Sequence, residues 1–497
     1  MLKEIIVNSL KKASGEKYYP YPNSFWSKGK LIYFLVRISN MKYLAITGSM
    51  ADIDNTGFKD KVKEDIELED KGKIIRLYNR SRENLKELIS IFLLLKPSPL
   101  GLKTSFGFGD RLGLATPAHI RVVNKHENVL PVFAQQSVRE LEKTNRTFKD
   151  VVDVASWNVF QGGYKGKWGA DADHIKEKKY FARAADAGMT MFTLDTAEVL
   201  EEQVLGMKAG LIKSKFDLNL KYLSKIKDKY MGKSHKVGDY ILKFDEKTIV
   251  KIAVTYGKAL DFAEEIFQFL MGKINSFDYE LSFDETNTVS SPEAHYFIAS
   301  QMQDRGVAFS GLALRFPGIF EKGIDYQGDI SEFEKSIKIH SEICRNIGGY
   351  KLSLHSGSDK FSVYPAFNKY TEGIFHIKTS GTSWLEAVRV VSVCNPDLFR
   401  EIFQIAIETF KENKKAYHIN LAYCDILKNI DNVDDGKLCD LISDKNIRRV
   451  FHIAYGAVLN RKKKEFFKVL LDNEEKHYKF VENHLEKHFN ALGERRN

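Results

Sequence analysis

Short apolar runs alternate with amphipathic stretches along most of the chain after about residue 104. Each run ends in polar or charged residues and is followed by a segment with helical spacing, which is typical of βα units and a parallel sheet. Eight such units in series favour a closed (β/α)₈ TIM barrel of the α/β class over an open sheet. The predicted strands are TSFGFGDR (104–111), VLPVFAQQ (129–136), GADADH (169–174), MTMFTLDT (189–196), DYELSFDET (278–286), FSGLALRF (309–316), YKLSLHSG (350–357) and IFHIKTSG (374–381).

Three further segments flank or interrupt the barrel pattern, which we assign to residues 99–410. Residues 1–98 predict a small N-terminal α/β unit, because the apolar runs LIYFLVRIS, YLAITG and GKIIRLYN precede a stretch with helical spacing. About residues 198–275 predict a helical insertion after the fourth strand, far longer than an ordinary βα loop and therefore a candidate lid. Residues 411–497 predict a helical C-terminal extension, with 466–489 as its longest helix.

The charge balance favours a small anionic ligand over a nucleic acid. The 497 residues include 76 Lys and Arg against 66 Asp and Glu, a formal net charge of +10. This excess is modest for the length, and neither a zinc finger nor an RNA-binding aromatic motif accompanies it, so we expect no nucleic-acid partner. A net positive field does raise the local concentration of an anionic substrate.

The N-terminus and the cysteines indicate a cytoplasmic protein. The first residues lack the uninterrupted apolar run of a signal peptide, and no stretch of ~18 apolar residues predicts a membrane span. Scattered cysteines without C-x-x-C spacing favour reduced thiols. We therefore expect a soluble cytoplasmic chain without a membrane partner, compatible with an oligomer. The four cysteines are Cys344, Cys394, Cys424 and Cys439.

The fifth predicted strand has polar residues at alternate positions. Asp278, Glu280, Ser282 and Asp284 share one face, whereas a parallel barrel strand is normally apolar on both faces. Buried carboxylates need a metal, a substrate or a structural lysine as partner, because unpaired they cost several kcal/mol. We predict that at least one of them takes part in function.

Three of the predicted strands carry a histidine. His355 closes the seventh strand and His376 lies in the eighth, and adjacent strands are about 5 Å apart, so the two imidazoles can share one ion. The alternative is a pair of structural core histidines. In the third strand Asp171 and Asp173 alternate, and His174 follows directly. Asp173 has its own alternative, as the N-cap of the next helix.

Further polar residues lie at strand ends, and the Arg and Lys among them suit a carboxylate-bearing substrate. The loops HSGSDKF and KTSGTSW also offer backbone N–H groups to an anion, unless they are ordinary Gly-Ser turns. GFGDRLG departs by one residue from the dinucleotide fingerprint, so we expect no NAD. The predicted substrate-binding residues are Asp110, Arg111, Asp195, Arg315, Lys378 and Ser380.

Several segments together resemble the tagaturonate epimerase family. The likeness covers about residues 106–390, and its specific part is HSGSDKFSVYP combined with KTSGTSWLEA. Members of that family interconvert D-tagaturonate and D-fructuronate with a divalent metal. The other segments are GFGDRLGLATPAHI, PVFAQQSVRE, NRTF, GADADHIK, LRFPG, FEKGIDYQGD and FHIKTSGTSWLEA.

The resemblance implies roles for individual residues. Asp173 corresponds to the proton acceptor, Glu280 to the proton donor and His174 to a ligand of one divalent cation, which we expect to be Mn, Ni, Co or Zn. For the remaining ligands His355 is the first choice and His376 the second. His340 is a third, disfavoured because it lies in mid-helix.

The expected reaction is C4 epimerisation of a ketohexuronate. A hydrogen on C4 is β to the C2 carbonyl and is not acidified by it, so we prefer a retro-aldol and aldol route with a Lewis acid. Two alternatives stay open at this point. The same residues would serve a metal-dependent aldolase or isomerase acting on a phosphosugar, or a non-enzymatic sugar-binding protein.

Overall fold

The structure, a computed structural model, describes residues 2–12, 18–68, 72–207, 212, 220–415, 417, 421 and 430–493. Its strands are β1 (Tyr18–Pro20), β2 (Trp26–Lys28), β3 (Leu31–Ile38), β4 (Met41–Ser49), β5 (Ile66–Glu67), β6 (Lys73–Asn79), β7 (Ser105–Phe108), β8 (Leu130–Ser137), β9 (Gly169–Ile175), β10 (Met191–Asp195), β11 (Ser234–Val237), β12 (Tyr240–Lys243), β13 (Asp278–Ser282), β14 (Gly311–Ala313), β15 (Lys351–Leu354) and β16 (Phe375–Thr379).

The α-helices account for most of the remaining described chain. They are α1 (Leu2–Lys12), α2 (Met50–Asp54), α3 (Arg82–Ile91), α4 (Thr116–Val123), α5 (Val138–Thr144), α6 (Phe148–Gly162), α7 (Lys178–Ala187), α8 (Leu220–Tyr230), α9 (Glu246–Met271), α10 (Pro292–Asp304), α11 (Ile330–Ile347), α12 (Tyr364–Tyr370), α13 (Thr382–Cys394), α14 (Pro396–Glu408), α15 (Phe410–Lys414), α16 (Leu438–Leu441), α17 (Lys445–Asp472) and α18 (Glu474–Leu492). None of these described helices has the length and apolarity needed to cross a membrane.

All eight predicted barrel strands are present and close into a ring. The order is β7-β8-β9-β10-β13-β14-β15-β16 and back to β7, with every neighbouring pair parallel. The predicted (β/α)₈ barrel is therefore confirmed. Outward side chains of these strands are buried against the helical layer, and Tyr279 on β13 donates its hydroxyl to Ala263 O of α9 at 3.0 Å.

Helix α9 takes the position of the fourth outer helix. It forms ion pairs with α7, through Lys178 and Glu265 at 2.7 Å, and with the C-terminal end of α10, through Arg305 and Asp261 at 2.7 Å. Part of the predicted insertion therefore belongs to the barrel itself.

The rest of the described insertion contains a hairpin, β11–β12, which the sequence pattern did not predict. Gly238 in its turn lies against Glu342 of α11, and Lys229 of α8 pairs with Asp304 of α10. These contacts place α8 and the hairpin against the outer helices α10 and α11. Residues 208–211 and 213–219 of the insertion, like Cys424, lie outside the described residues.

The N-terminal residues form a six-stranded sheet whose recorded pairs are antiparallel. It docks on the barrel through Trp26, whose indole N–H donates to Phe160 O of α6 at 3.2 Å. Apolar side chains of β3, β4 and β6 fill a separate small core on one face of this sheet.

The C-terminal extension is helical, but the single helix predicted over 466–489 is wrong. The chain breaks between α17 and α18 at Asn473, whose φ of −119° and ψ of 36° are not helical. Past the break, Glu474 ion-pairs with buried Lys42 of the N-terminal sheet. The break turns α18 so that it packs against α4 and α13 of the barrel.

The amino ends of the strands are closed by buried polar contacts. Asp278 accepts hydrogen bonds from the backbone N–H groups of Leu100 and Gly101 at 2.6 and 2.9 Å. Lys351 donates to Gly101 O at 2.9 Å and to Ser105 Oγ at 2.9 Å. These two charged residues thus seal the floor of the barrel and lie away from its open end.

Candidate active site

Lys378 is the centre of a buried cluster of carboxylates inside the barrel. Its ammonium lies 2.7 Å from Asp171 Oδ2, 2.9 Å from Asp173 Oδ1 and 2.8 Å from Glu280 Oε1. It also donates to Thr193 Oγ1. The side chains of Lys378 and Glu280 are 4% and 0% exposed. Four strands, β9, β10, β13 and β16, therefore meet at one ammonium group.

The charges of this cluster follow from burial and proximity. Burial opposes the charge of Lys378, but three carboxylates outweigh it and raise its pKa well above the usual value. Burial also opposes ionisation of Asp173 and Glu280, yet Lys378 and nearby imidazoles hold both pKa values below their usual range. Asp171 differs, because burial raises its pKa to about 6 against the attraction of Lys378. At neutral pH the cluster thus holds one ammonium and at least two ionised carboxylates.

A β-bulge brings two consecutive residues of β9 into the site. Residues 172–175 of β9 pair with residues 192–194 of β10, so β9 has one extra residue there. His174 takes the left-handed conformation, with φ of 48°. Asp173 and His174 can therefore both face the interior, although strict alternation would place them on opposite faces.

The helix-capping alternative for Asp173 is wrong. Helix α7 begins at Lys178, its N-cap is Glu177, and Asp173 lies on the strand. Asp195, predicted to bind substrate, faces His174, with 3.4 Å between Asp195 Oδ2 and His174 Nδ1. Its other oxygen accepts from the backbone N–H of Ala197 at 2.9 Å, so Asp195 orients the imidazole.

His174, Asp284 and His355 form a group that can hold a metal ion. One ligand atom from each lies within 4.8 Å of the others. His355 Nδ1 is 3.1 Å from Asp284 Oδ1, and its Nε2 is 2.7 Å from Glu280 Oε1. Burial opposes the charged form of His174, but Asp173 and Asp195 raise its pKa to about 10. Two imidazoles and a carboxylate are a donor set that first-row divalent ions accept.

The other predicted ligands lie elsewhere. His376 pairs in register with Ser353, two residues below His355, and its Nδ1 is 2.9 Å from Ser105 Oγ. Burial lowers the pKa of His376 to about 3, so its imidazole is neutral. His340 lies in the outer layer, where its Nδ1 is 3.0 Å from that of His295. The group of three possible ligands includes Asp284 and does not include His376.

A second histidine group, Asp359, His484 and His488, is engaged in hydrogen bonds. His484 Nε2 lies 2.5 Å from Asp359 Oδ1, and Arg448 donates to Asp359 Oδ2 at 2.7 Å. His488 Nε2 accepts from the backbone N–H of Asp359 at 3.0 Å. These contacts tie the loop after β15 to α17 and α18.

Two adjoining clefts open above the cluster. The inner cleft has a volume of about 30 Å³ and is lined by Asp173, His174 and Lys378. The outer cleft has a volume of about 290 Å³ and reaches Arg315 and Asp284. The residues that line both are Arg139, Glu285, Lys322, His355, Ser356 and Tyr417.

The junction of the clefts is cationic. Burial lowers the pKa of Lys322, the Glu285 carboxylate raises it, and the Arg139 guanidinium lowers it further. The Arg139 guanidinium lies 4.4 Å from the centre of the Tyr417 ring. Neither Arg139 nor Lys322 was found from the sequence, because both lie in loop or helix-start positions without a periodic signal.

The remaining predicted substrate-binding residues divide into two kinds. Asp110 accepts from the backbone N–H groups of residues 113–116, which shapes its own loop, and lines neither cleft. Arg111 lines the inner cleft but is held by Glu140 at 2.8 Å and by His452 O at 2.7 Å. Ser380 also lines the inner cleft.

The predicted anion-binding loops use several of their N–H groups internally. Gly357 donates to Lys378 O at 2.9 Å, and Ser380 donates to Ser358 Oγ at 3.2 Å. Together with the bond from Asp359 to His488, these contacts favour the structural alternative for the HSGSDKF loop.

A closed parallel barrel with ionised carboxylates, a lysine and two histidines at the carboxyl ends of its strands is the architecture of a (β/α)₈-barrel enzyme. A family model described as tagaturonate epimerase matches residues 21–492. The chain therefore belongs to the tagaturonate epimerase family, which confirms the resemblance seen in the sequence. The match also includes most of the N-terminal sheet and the C-terminal extension, beyond the 106–390 expected.

Similar proteins agree with this assignment. A tagaturonate/fructuronate epimerase of Thermotoga maritima is 42% identical over 491 residues, covering 98% of this chain and 100% of that protein. The native crystal structure of a fructuronate-tagaturonate epimerase from Cohnella laeviribosi superposes with a TM-score of 0.90 and 34% identity over 99% of this chain and 100% of that one. A form of that enzyme complexed with two glycerols superposes with a TM-score of 0.91 and 34% identity, over 100% of both chains.

Gly311 on β14 provides the space that Glu280 occupies. A methyl group at this position would lie 2.6 Å from Glu280 Oε2 and 3.1 Å from its Cγ. We predict that Gly311→Ala folds but displaces Glu280 from Lys378 and His355, with a loss of about 10²-fold in epimerase kcat. Steady-state kinetics and thermal melting of the purified variant measure this.

The matched control is Gly257→Ala in α9, where nothing lies within 4 Å of the added methyl. That variant should keep full activity and gain about 0.5–1 kcal/mol in stability, because alanine favours the helix. Normal kcat in Gly311→Ala would show that the position of Glu280 does not matter.

Proposed function

We propose that this protein is a metal-dependent epimerase that interconverts D-tagaturonate and D-fructuronate at C4. The observation that carries the proposal is the convergence of the Lys378 cluster with His174, His355 and Asp284 below the two adjoining clefts. Membership of the family and the likeness to named epimerases support the substrate. The free Cys344, Cys394 and Cys439 accord with the expected cytoplasmic location.

His174, His355 and Asp284 are the residues that would hold the divalent ion. Asp195 orients His174, and Glu280 contacts the Nε2 of His355, as carboxylates behind metal-binding histidines commonly do. A bound ion would supply Lewis acidity towards the C2 and C3 oxygens of the substrate.

Cleavage of the C3–C4 bond avoids removing the unactivated C4 hydrogen. When the C4 hydroxyl loses its proton, C4 becomes an aldehyde carbon, and the electron pair of the C3–C4 bond passes to C3 and the C2 carbonyl as an enediolate. The aldehyde fragment turns about C4–C5, C3 adds to its other face, and the C4 oxygen regains a proton. The atoms and electrons of substrate and product balance, so no redox cofactor is needed.

Asp173 and Lys378 are the groups placed to move these protons. Asp173 is ionised and lines the inner cleft, so it accepts the proton of the C4 hydroxyl. Glu280 is 0% exposed and lies beneath the floor of the cleft. Its expected role as proton donor therefore runs through Lys378, which contacts it at 2.8 Å and lines the inner cleft.

We predict that chelation abolishes epimerisation and that Mn²⁺, Ni²⁺, Co²⁺ or Zn²⁺ restores it. His174→Ala and His355→Ala should each lose bound metal, measured by elemental analysis of the purified variants, because each removes one ligand of the group. His340→Gln and His376→Gln are controls that should keep it, since their rings lie outside the group. Full turnover of D-tagaturonate by metal-free protein would refute the metal requirement.

Asp173→Asn should lower kcat for D-tagaturonate by about 10² to 10⁴, because it removes a positioned base. Asp171→Asn is the matched control. It removes the same kind of carboxylate from Lys378, at 2.7 Å rather than 2.9 Å, but lines neither cleft, so its loss should be much smaller. Equal losses in the two variants would mean that Asp173 only balances the charge of Lys378.

A further inference from the structure

The proposed reaction divides the substrate into two fragments that must stay together. Carbons C1–C3 become the enediolate of dihydroxyacetone, and carbons C4–C6 become tartronate semialdehyde, whose C6 carboxylate is two bonds from the reacting C4. That aldehyde acid has to turn about C4–C5 without leaving. A group that holds C6 while C4 moves would therefore lie directly above the cleft floor.

Arg139 and Lys322 occupy this position. Both line the inner and the outer cleft. They therefore lie where the carbon chain of a substrate that reacts at Asp173 and Lys378 would extend outward. Lys322 donates to the neutral hydroxyl of Ser356 at 2.6 Å, whereas no described carboxylate forms an ion pair with it. Arg139 is in the first turn of α5 and stacks on Tyr417.

The segment that carries Lys322 is fixed from below. The buried ammonium of Lys360 donates to Glu321 O at 2.8 Å and to Ile324 O at 2.5 Å, one residue before and two after Lys322. A cation on a backbone held in this way is preorganised for a ligand, which lowers the entropy lost on binding.

Other cations of the clefts are less suited. Arg111 is held by Glu140 and His452, and Lys378 by three carboxylates. Arg315 lines only the outer cleft and donates to Gly318 O at 3.2 Å. Glu285 lines the same junction and offsets part of the positive charge, so the site favours a single carboxylate over a doubly charged phosphate.

We propose that Arg139 and Lys322 bind the C6 carboxylate of the ketouronate and retain the C4–C6 aldehyde acid between cleavage and re-addition. This inference rests on the proposed function, because it assigns an end of the substrate named there. It makes Arg139 and Lys322 the residues that distinguish a uronate from a neutral ketohexose.

Lys322→Gln and Arg139→Gln should each raise KM for D-tagaturonate by about 10- to 100-fold, the effect of losing one charged hydrogen bond. Both should release dihydroxyacetone and tartronate semialdehyde, detected by ¹H NMR, where the parent enzyme releases far less per turnover. Their kcat/KM for neutral D-tagatose should stay within about twofold of the parent value. Arg183→Gln, at an exposed position of α7 that lines neither cleft, is the matched control and should leave KM for D-tagaturonate unchanged.

Binding of tartronate, measured by calorimetry, separates this inference from the proposed function. The parent protein should bind tartronate, and both variants should bind it at least tenfold more weakly, with melting temperatures close to the parent value. If the parent protein fails to epimerise ketouronates but this binding pattern holds, the proposed function fails and the carboxylate site stands. Unchanged KM and tartronate affinity in both variants, or no tartronate binding to the parent, would overturn the inference.

Discussion

The structure depends on one buried ammonium held by three carboxylates. Lys378 connects β16 to β9 and β13, and through Thr193 to β10, so the same contacts close the barrel interior and organise the site. A buried charge that loses its partner costs several kcal/mol, so the groups hold one another in place. With at least two carboxylates ionised around one lysine, the cluster has a net negative charge. The cationic side chains of Arg139 and Lys322 lie above it. The charge of the cluster contributes to the electrostatic environment of His174 and of Lys322.

The C-terminal extension contacts two loops of the barrel. From α17 it supplies His452 O and the Tyr455 ring to Arg111, whose guanidinium lies 3.9 Å from the centre of that ring. From α17 and α18 it supplies Arg448 and His484 to Asp359 in the loop after β15. Connecting loops are usually the least rigid parts of a barrel. Here buried charge pairs fasten them to a second helical layer.

Much of the fold could be predicted from the sequence, because alternation and run length specify strands that are buried on both faces. The depth of a side chain along the barrel axis could not be predicted from the sequence. The alternation of side chains along a strand predicts that both His355 and His376 face the barrel interior. Only the register of β15 with β16 shows that His355 lies two residues, or about 6.6 Å, nearer the open end. The bulge that turns both Asp173 and His174 inward breaks parity altogether. Arg139 and Lys322 come from segments without periodicity, and only the three-dimensional structure brings them together.

Conversion of D-tagaturonate by the metal-loaded protein in D₂O, followed by ¹H NMR, tests whether the C3–C4 bond is cleaved. Cleavage and re-formation of the C3–C4 bond keep the original hydrogen on C4, because that hydrogen stays on the aldehyde carbon throughout. This route predicts D-fructuronate that carries ¹H at C4 from the first turnover. Deuterium at C4 would show direct proton removal at that carbon, and absence of D-fructuronate would contradict the proposed reaction itself.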